Sequence, residues 1–144
     1  MKTNSSIYDC CIIELNKIHN KSGNITVVDA GIDLPFIVKR VFYLYDVPGG
    51  SLRGGHAHKE LHHFIVAAGG CFDVVLDDCK SKKIVELNRP YYGLYIPPGI
   101  WVELINFSSG ATSLNLVSDK YIEADYLRDY TQFLKFKNEN KSKI

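Results

Sequence analysis

The stretch Gly50-Ser51-Leu52-Arg53-Gly54-Gly55-His56-Ala57-His58 determines how the rest of this 144-residue sequence is interpreted. Side chains two positions apart in a β-strand point to the same face, so His56 and His58 project together. Two glycines separate them from Arg53, and glycine allows a backbone to bend sharply or to approach a ligand closely. One alternative is a set of surface histidines on an edge strand. Grouping imidazoles with a guanidinium is costly unless a ligand binds there, so the pattern favours a binding or catalytic site.

Short segments rich in β-branched and aromatic residues occur on both sides of this stretch, separated by residues that favour turns. The pattern predicts strands at residues 11–17, 24–29, 38–47, 56–58, 62–68, 71–76, 83–88, 93–96, 101–107 and 111–118. Many short strands at this spacing are typical of a sandwich or a closed barrel. A helical periodicity of apolar positions is found at residues 123–137. We therefore predict an all-β barrel with a short C-terminal helix.

Length and composition are those of one globular domain. Hydrophobic residues make up 46% of the chain and charged residues 23%, which suffices for a core without disulfides or a structural metal. The net charge of +1 argues against a protein that binds nucleic acid or a membrane surface. The sequence shows no signal peptide or membrane-spanning apolar run, and its four cysteines lack metal or redox spacing. We predict a single cytoplasmic domain over residues 1–144, with its core at about 24–136 and a frayed tail at 137–144.

The glycine and the two histidines of the opening stretch resemble the start of the first cupin motif, and Pro97-Pro98-Gly99 resembles the Pro-x-Gly of the second. This resemblance implies a cupin-type barrel, that is, a jelly roll or double-stranded β-helix. Metal-binding cupins carry a Glu after the second histidine and a further His in the second motif, where this sequence has His62 or His63 and then Val102. In an unbroken strand His62 would share the face of the first pair and His63 would point away. Three histidines can bind zinc or iron, so a metal site is an alternative, but without a carboxylate in the set we predict none.

A more specific resemblance, to the sugar 3,4-ketoisomerases, covers residues 29–136. It rests on the following segments: Val38-Lys39-Arg40-Val41-Phe42-Tyr43-Leu44-Tyr45-Asp46-Val47-Pro48, Arg53-Gly54-Gly55-His56-Ala57-His58-Lys59, Asp73-Val74-Val75-Leu76-Asp77-Asp78, Gly93-Leu94-Tyr95-Ile96-Pro97-Pro98, Trp101 and Asp125-Tyr126-Leu127-Arg128-Asp129-Tyr130. The resemblance implies action on a nucleotide-linked 4-keto-6-deoxy sugar, with dTDP as the nucleotide. It also implies a homodimer, in which N-terminal strands can be exchanged between subunits.

The implied reaction moves the carbonyl of dTDP-4-keto-6-deoxyglucose from carbon 4 to carbon 3. A base removes the proton at carbon 3 to give an enediol, and a proton is returned at carbon 4, so we expect no cofactor. Residues 56–78 favour a product of galacto over gluco configuration, leading to a 3-amino-3,6-dideoxy sugar for a surface polysaccharide such as lipopolysaccharide O-antigen. The alternatives are a dTDP-sugar 3,5-epimerase, a metal-dependent cupin enzyme and a non-catalytic cupin that binds a sugar nucleotide.

The resemblance also implies roles for single residues. It makes His56 the proton acceptor, and we assign His58 the complementary proton transfer. We expect Tyr43 to donate its phenolic proton near the sugar, with Tyr45 on the same strand face as its competitor. The predicted substrate-binding residues are Arg53, Tyr45, Arg40, His62 and Trp101.

Three of these assignments carry alternatives. Arg53 suits either the pyrophosphate or the keto oxygen, because a guanidinium offers fixed bidentate donors. Arg40 is expected to assist phosphate binding, and either it or its neighbour Lys39 must face solvent. Trp101 either forms a wall of the pocket or packs in the core.

Overall fold

The structure, a computed structural model, describes residues 4–141. Its strands and helix are β1 (Cys11–Glu14), β2 (Asn16–Ile18), β3 (Ile25–Val27), β4 (Arg40–Leu44), β5 (Arg53–His58), β6 (His63–Gly69), β7 (Phe72–Asp77), β8 (Lys82–Leu87), β9 (Tyr92–Ile96), β10 (Trp101–Ile105), β11 (Thr112–Val117), β12 (Tyr126–Leu127) and α1 (Tyr130–Lys141). Pairing joins the strands into one five-stranded sheet of order β1-β9-β6-β11-β4, a second of order β12-β5-β10-β7-β8, and a small hairpin of β2 and β3. Every strand pair is antiparallel. The predicted all-β, cupin-type barrel with a C-terminal helix is confirmed.

The core lies between the two large sheets. Ile65 and Ala67 of β6 are fully buried there, and they pack in one cluster with Val74 and Leu76 of β7 from the opposite sheet. Alternation along each strand places these side chains on the inner face and their neighbours on the outer face. Burying a large apolar side chain contributes roughly 1.5–3 kcal/mol, so this cluster stabilises the packing of one sheet on the other.

A second apolar cluster covers the outer face of the first sheet. Phe64 and Val66 alternate with the inward residues of β6 and pack against Leu34 and Leu116. Leu34 belongs to the segment between β3 and β4, which therefore lies across the outside of that sheet. The core also begins earlier than predicted, because Ile7 is only 4% exposed.

The C-terminal helix begins later than the sequence predicts. Residues 123–129 form a 3₁₀ turn (Glu123–Asp125), the strand β12 and a short connection, and α1 starts only at Tyr130. The side chain of Asp129 accepts a hydrogen bond from the backbone N–H of Thr131 at 2.8 Å, as expected for a residue at a helix N-terminus. Pairing of β12 with β5 outweighs the helical preference of the preceding residues.

The sequence predicts a frayed tail from residue 137, but Lys137 itself is held in place. It is 2% exposed, and its Nζ donates hydrogen bonds to the carbonyl oxygens of Ser5 at 2.5 Å and Gly99 at 2.9 Å. α1 continues to Lys141, and residues 142–144 lie outside the described part of the chain. Within residues 4–141, no helix has the length and apolar character needed to cross a membrane.

Candidate active site

His56 and His58 lie on one face of β5 and point into the barrel. The register places His56 opposite Val102 of β10, and Val102 belongs to the core between the sheets. The two imidazole centroids are 5.1 Å apart, with their planes at 81°. The bend that precedes them requires glycine, because Gly54 and Gly55 have φ angles of 83° and 76°. A Cβ on Gly54 would also lie 2.9 Å from the carbonyl oxygen of Val102.

The third imidazole of the site belongs to His63, where an unbroken strand predicts His62. The chain bends between β5 and β6, so the alternation of side chains along β5 does not continue into β6, and His63 rather than His62 points inward. His63 is 7% exposed, with its ring centroid 6.4 Å from that of His58. His62 lies on the outer face, with Nδ1 2.7 Å from the hydroxyl of Tyr95 and its ring stacked on Phe36. The structure therefore separates His62 from the histidine pair.

Asn115 fixes the protonation of His63. Its amide nitrogen donates to the carbonyl and hydroxyl oxygens of Ser113, at 3.0 and 3.1 Å, so its Oδ1 faces His63 as an acceptor. Nε2 of His63, 2.8 Å from that oxygen, is then the protonated nitrogen. Burial, together with the neighbouring His58, lowers the pKa of His63 to about 3. His63 is consequently a neutral imidazole near pH 7.

Asp125 lies directly behind His58. Its Oδ2 is 3.0 Å from Nδ1 of His58, with side chains 12% and 9% exposed, and its Oδ1 accepts from the backbone N–H of Glu60 at 2.8 Å. Burial on its own raises the pKa of Asp125, but hydrogen bonds from His58 and backbone N–H groups lower it overall. The carboxylate is therefore ionised and accepts the Nδ1–H bond, which leaves Nε2 of His58 free for proton transfer.

Tyr126 flanks the histidine pair. β12 places it opposite His58, with ring centroids 4.3 Å apart for His58 and 5.1 Å apart for His56. The guanidinium of Arg128 lies 4.3 Å from the centre of the Tyr126 ring. Sequence reasoning assigned no role in the site to Asp125 or Tyr126, although both belong to the 125–130 segment that carries the family resemblance.

His56 and His58 differ in their surroundings. Burial lowers the pKa of His56 to about 4, and the charges of His58 and Arg128 act in the same direction. His56 is thus neutral near pH 7, while Nδ1 of His58 is bonded to the Asp125 carboxylate. Two adjacent proton carriers in unlike environments are suited to removing a proton from one atom and returning one to its neighbour.

Arg40 brings a positive charge to the same end of the barrel. It pairs with Val117 of β11, a core residue, so its side chain points inward. The guanidinium carbon lies 5.2 Å from the centre of the Phe42 ring and 5.6 Å from that of Tyr121. Its Nε and Nη2 atoms are buried and have no hydrogen-bond partner within residues 4–141.

The structure does not bring Tyr43 to the histidines. Tyr43 pairs with Leu114 on the outer face of the first sheet and is 60% exposed. Its ring centroid is 5.7 Å from that of the equally exposed Tyr45. Both tyrosines line a cavity of about 390 Å³ together with Arg53, and no histidine lines that cavity. Tyr43 points outward because its neighbour Phe42 points inward, so within this chain Tyr43 lies apart from the histidines.

Trp101 packs beneath the C-terminal helix. Its ring centroid is 5.2 Å from that of Tyr130 and 5.7 Å from that of Phe133, and its Nε1 donates to Oε1 of Glu103 at 3.0 Å. It shares this cluster with Ala57, which points away from the two histidines on either side of it. The structure places Trp101 in this buried cluster, as in the core-packing alternative.

The histidines do not form a metal-binding group in the described range. Nδ1 of His58 is bonded to Asp125, and Nε2 of His63 is bonded to Asn115. Across residues 4–141, no group of three or more His, Cys, Asp or Glu side chains is placed to hold a metal ion.

Comparison with known proteins gives matches along nearly the whole chain. The family model described as "FdtA: WxcM-like, C-terminal" matches residues 8–138. The chain is 38% identical over 125 residues to a TDP-4-oxo-6-deoxy-alpha-D-glucose-3,4-oxoisomerase of Aneurinibacillus thermoaerophilus, which covers 87% of this chain and 90% of that protein. It resembles the crystal structure of QdtA, a sugar 3,4-ketoisomerase of Thermoanaerobacterium thermosaccharolyticum in complex with TDP (TM-score 0.91, 36% identity, 94% and 98% of the two chains). It also resembles WlaRB, a TDP-quinovose 3,4-ketoisomerase of Campylobacter jejuni (TM-score 0.84, 39% identity, 88% and 98%).

The matched part of the chain contains the residues of the candidate site. The segments that carry the resemblance at residues 53–59 and 125–130 pair with each other as β5 and β12, and they supply the imidazoles of His56 and His58, the carboxylate of Asp125 and the phenol of Tyr126. The expectation of an isomerase is confirmed. The chain therefore belongs to the FdtA-like family of sugar 3,4-ketoisomerases.

Proposed function

We propose that the chain converts TDP-4-keto-6-deoxyglucose to a TDP-3-keto-6-deoxyhexose by histidine acid–base catalysis. The observation that carries this proposal is the pair of imidazoles 5.1 Å apart, with a neutral His56 and a His58 bonded to Asp125. Isomerisation between adjacent carbons requires one proton to leave and another to arrive within a short distance, and this pair provides both carriers. The substrate named for the Aneurinibacillus thermoaerophilus relative supports the choice of sugar nucleotide.

The first half of the reaction is removal of the proton at carbon 3 by neutral His56. The C–H electron pair forms a C3=C4 double bond, the carbonyl electrons move to O4, and O4 takes up a proton. Loss of the O3 proton then forms the carbonyl at carbon 3, and the double-bond electrons take a proton at carbon 4. Two protons leave and two arrive, so the reaction needs neither an oxidant nor a reductant.

His58 carries the second proton in this proposal. Asp125 accepts a hydrogen bond from its Nδ1–H, which fixes the tautomer and orients the ring. Tyr126 takes the role of phenolic donor that the sequence assigned to Tyr43, because its ring lies 4.3 Å from that of His58.

We extend the proposal to a product of galacto configuration, which residues 56–78 favour. A 3-keto sugar is a substrate for transamination, so the product would lead to a 3-amino-3,6-dideoxy sugar of a surface polysaccharide such as O-antigen. The name of the Campylobacter jejuni relative supports the gluco alternative, since quinovose is 6-deoxyglucose.

The proposed active form is a homodimer. Ile37, Val41 and Tyr43 are 72%, 54% and 60% exposed, and apolar side chains grouped on a surface are typical of protein interfaces. β1 pairs with β9 of the same chain, with Cys11 opposite Tyr95. Exchange of N-terminal strands would give this register to the partner subunit's β1.

Proton NMR of the protein mixed with TDP-4-keto-6-deoxyglucose in deuterated water tests the reaction. We expect loss of the carbon-3 proton signal and appearance of a 3-keto product, with deuterium at carbon 4. The product is then isolated and reduced, and its configuration at carbon 4 distinguishes galacto from gluco. A His56→Asn variant should bind TDP but leave the carbon-3 proton in place.

The remaining outcomes identify the alternatives. Exchange at carbons 3 and 5 together would indicate a 3,5-epimerase, which the carboxylate behind His58 also suits. Tight binding without any exchange would indicate a non-catalytic sugar-nucleotide-binding protein. Exchange that disappears with a chelator and returns with zinc or iron would indicate a metal-dependent cupin.

A further inference from the structure

Arg40 is a charged group near His63 that the proton-transfer scheme leaves unused. Its Nε and Nη2 atoms are buried without any hydrogen-bond partner among residues 4–141. A guanidinium stays protonated at all ordinary pH values, and burying its donors unpaired is unfavourable. The folded chain thus maintains two aligned N–H donors that lack acceptors of its own.

The surroundings of Arg40 are aromatic rings. Phe42 and Tyr121 face the guanidinium at 5.2 and 5.6 Å, and the buried His63 near Phe42 is neutral. No anion of the protein therefore competes for its buried Nε and Nη2 within the described residues. An anionic oxygen that formed beside these two donors would be stabilised strongly, because the surroundings are poor in water.

Two parts of the substrate carry negative charge, namely the diphosphate and the enediolate that forms during the proposed reaction. The geometry of the guanidinium favours the enediolate. Nε–H and Nη2–H point outward from the same edge, which suits a pair of neighbouring oxygens. The enediolate has such a pair in O3 and O4, the vicinal oxygens between which the carbonyl moves. The diphosphate carries its charge on several exposed oxygens and does not need buried donors.

We infer that Arg40 presents this edge to O3 and O4 of the sugar and stabilises the charge that develops on them. This role replaces the phosphate contact expected from the sequence, and it rests on the proposed isomerase function. Arg53, the other guanidinium considered for the keto oxygen, is exposed and lies at a cavity that the histidines do not line.

The test compares Arg40→Met with Arg40→Lys, and uses Lys39→Met as the matched control because Lys39 is the exposed neighbour on the same segment. Turnover is followed by NMR, TDP binding by calorimetry and folding by thermal unfolding. Arg40→Met should lower kcat on the order of 10²–10³-fold, as for loss of an oxyanion donor. The TDP dissociation constant and Lys39→Met turnover should stay close to wild type. The melting temperature should change little, because the buried donors have no hydrogen-bond partner among residues 4–141 and methionine can keep the packing against Phe42 and Tyr121.

Two results would overturn the inference. One is a kcat of Arg40→Met close to wild type, and the other is a large rise in the TDP dissociation constant with kcat retained, which would assign Arg40 to the diphosphate. If Arg40→Met does not fold, Arg40→Lys decides, since it keeps the charge but cannot bridge two oxygens, and it should lose turnover while still binding TDP. A wild-type protein inactive on the substrate would instead refute the proposed function.

Discussion

Replacing Asp125 by Asn would remove the charge behind His58 with almost no change in side-chain volume. The carboxylate contacts Nδ1 of His58 at 3.0 Å and the backbone N–H of Glu60 at 2.8 Å. An Asn side chain can keep the bond to Glu60 through its Oδ1, but its NH₂ group then faces His58. Nδ1 can no longer donate there, so His58 would lose both its fixed tautomer and its counter-charge.

The size of the effect follows from the attraction between the Asp125 carboxylate and the proton that His58 carries during the proposed transfer. Unit charges about 4 Å apart attract by about 4 kcal/mol at an effective dielectric constant of about 20. The two side chains are 12% and 9% exposed, so solvent screens part of this attraction. A net loss of about 2–4 kcal/mol from the transition state lowers kcat roughly 30- to 1,000-fold. TDP affinity should be nearly unchanged, because the effect is specific to proton transfer.

The assay is turnover of TDP-4-keto-6-deoxyglucose by NMR, with deuterium incorporation at carbon 4 recorded separately. Asp119→Asn is the matched control, since Asp119 lies in the same connection and its carboxylate accepts from the backbone N–H of Lys120. If Asp125→Asn folds normally and keeps a kcat close to that of the control, Asp125 does not position or charge His58, and the assignment of the second proton carrier fails.

Two further predictions concern stability and assembly. In the unfolded chain His63 takes up a proton below about pH 6.5, whereas burial keeps the pKa of His63 at about 3 in the folded state. The contribution of neutral His63 to stability is therefore complete above about pH 6.5 and is lost as the pH falls from 6.5 toward 3. Thermal unfolding between pH 7 and 4 should show this loss and a flatter dependence for His63→Asn, and identical slopes would contradict it. Sedimentation should give twice the mass of the 144-residue chain for the wild type and less association for Tyr43→Glu, whereas a monomeric wild type would rule out the dimer.

Local patterns in the sequence were sufficient for the features that depend on near neighbours. The two-residue period of a strand put His56 and His58 on one face, and the Gly-Gly step before them indicated a bend. The repeated strand and turn signals gave the fold class. None of these inferences requires knowledge of how distant segments meet.

The sequence-based predictions failed where the direction of a side chain depends on contacts between distant segments of the chain. The bend between β5 and β6 exchanges the orientations of His62 and His63, and nothing in the residue pattern fixes the length of that bend. Asp125 reaches His58 from 67 positions away, and it does so because β12 forms a strand where the periodicity suggests a helix. The direction of Tyr43 follows from its register with β11, which the sequence does not specify.

The chemical difference between His56 and His58 therefore originates outside the strand that carries them. The C-terminal segment contacts the side chain of His58 through Asp125, and it supports the backbone of His58 indirectly. The carbonyl oxygen of His58 accepts a hydrogen bond from Gly99 at 2.7 Å, and the carbonyl of Gly99 accepts one from the buried Lys137 of α1 at 2.9 Å. Among residues 4–141 no carboxylate is bonded to His56, and burial keeps this imidazole neutral. In the proposed mechanism, the two imidazoles of one His-x-His pair take different roles because the chain after β11 bonds a carboxylate to His58.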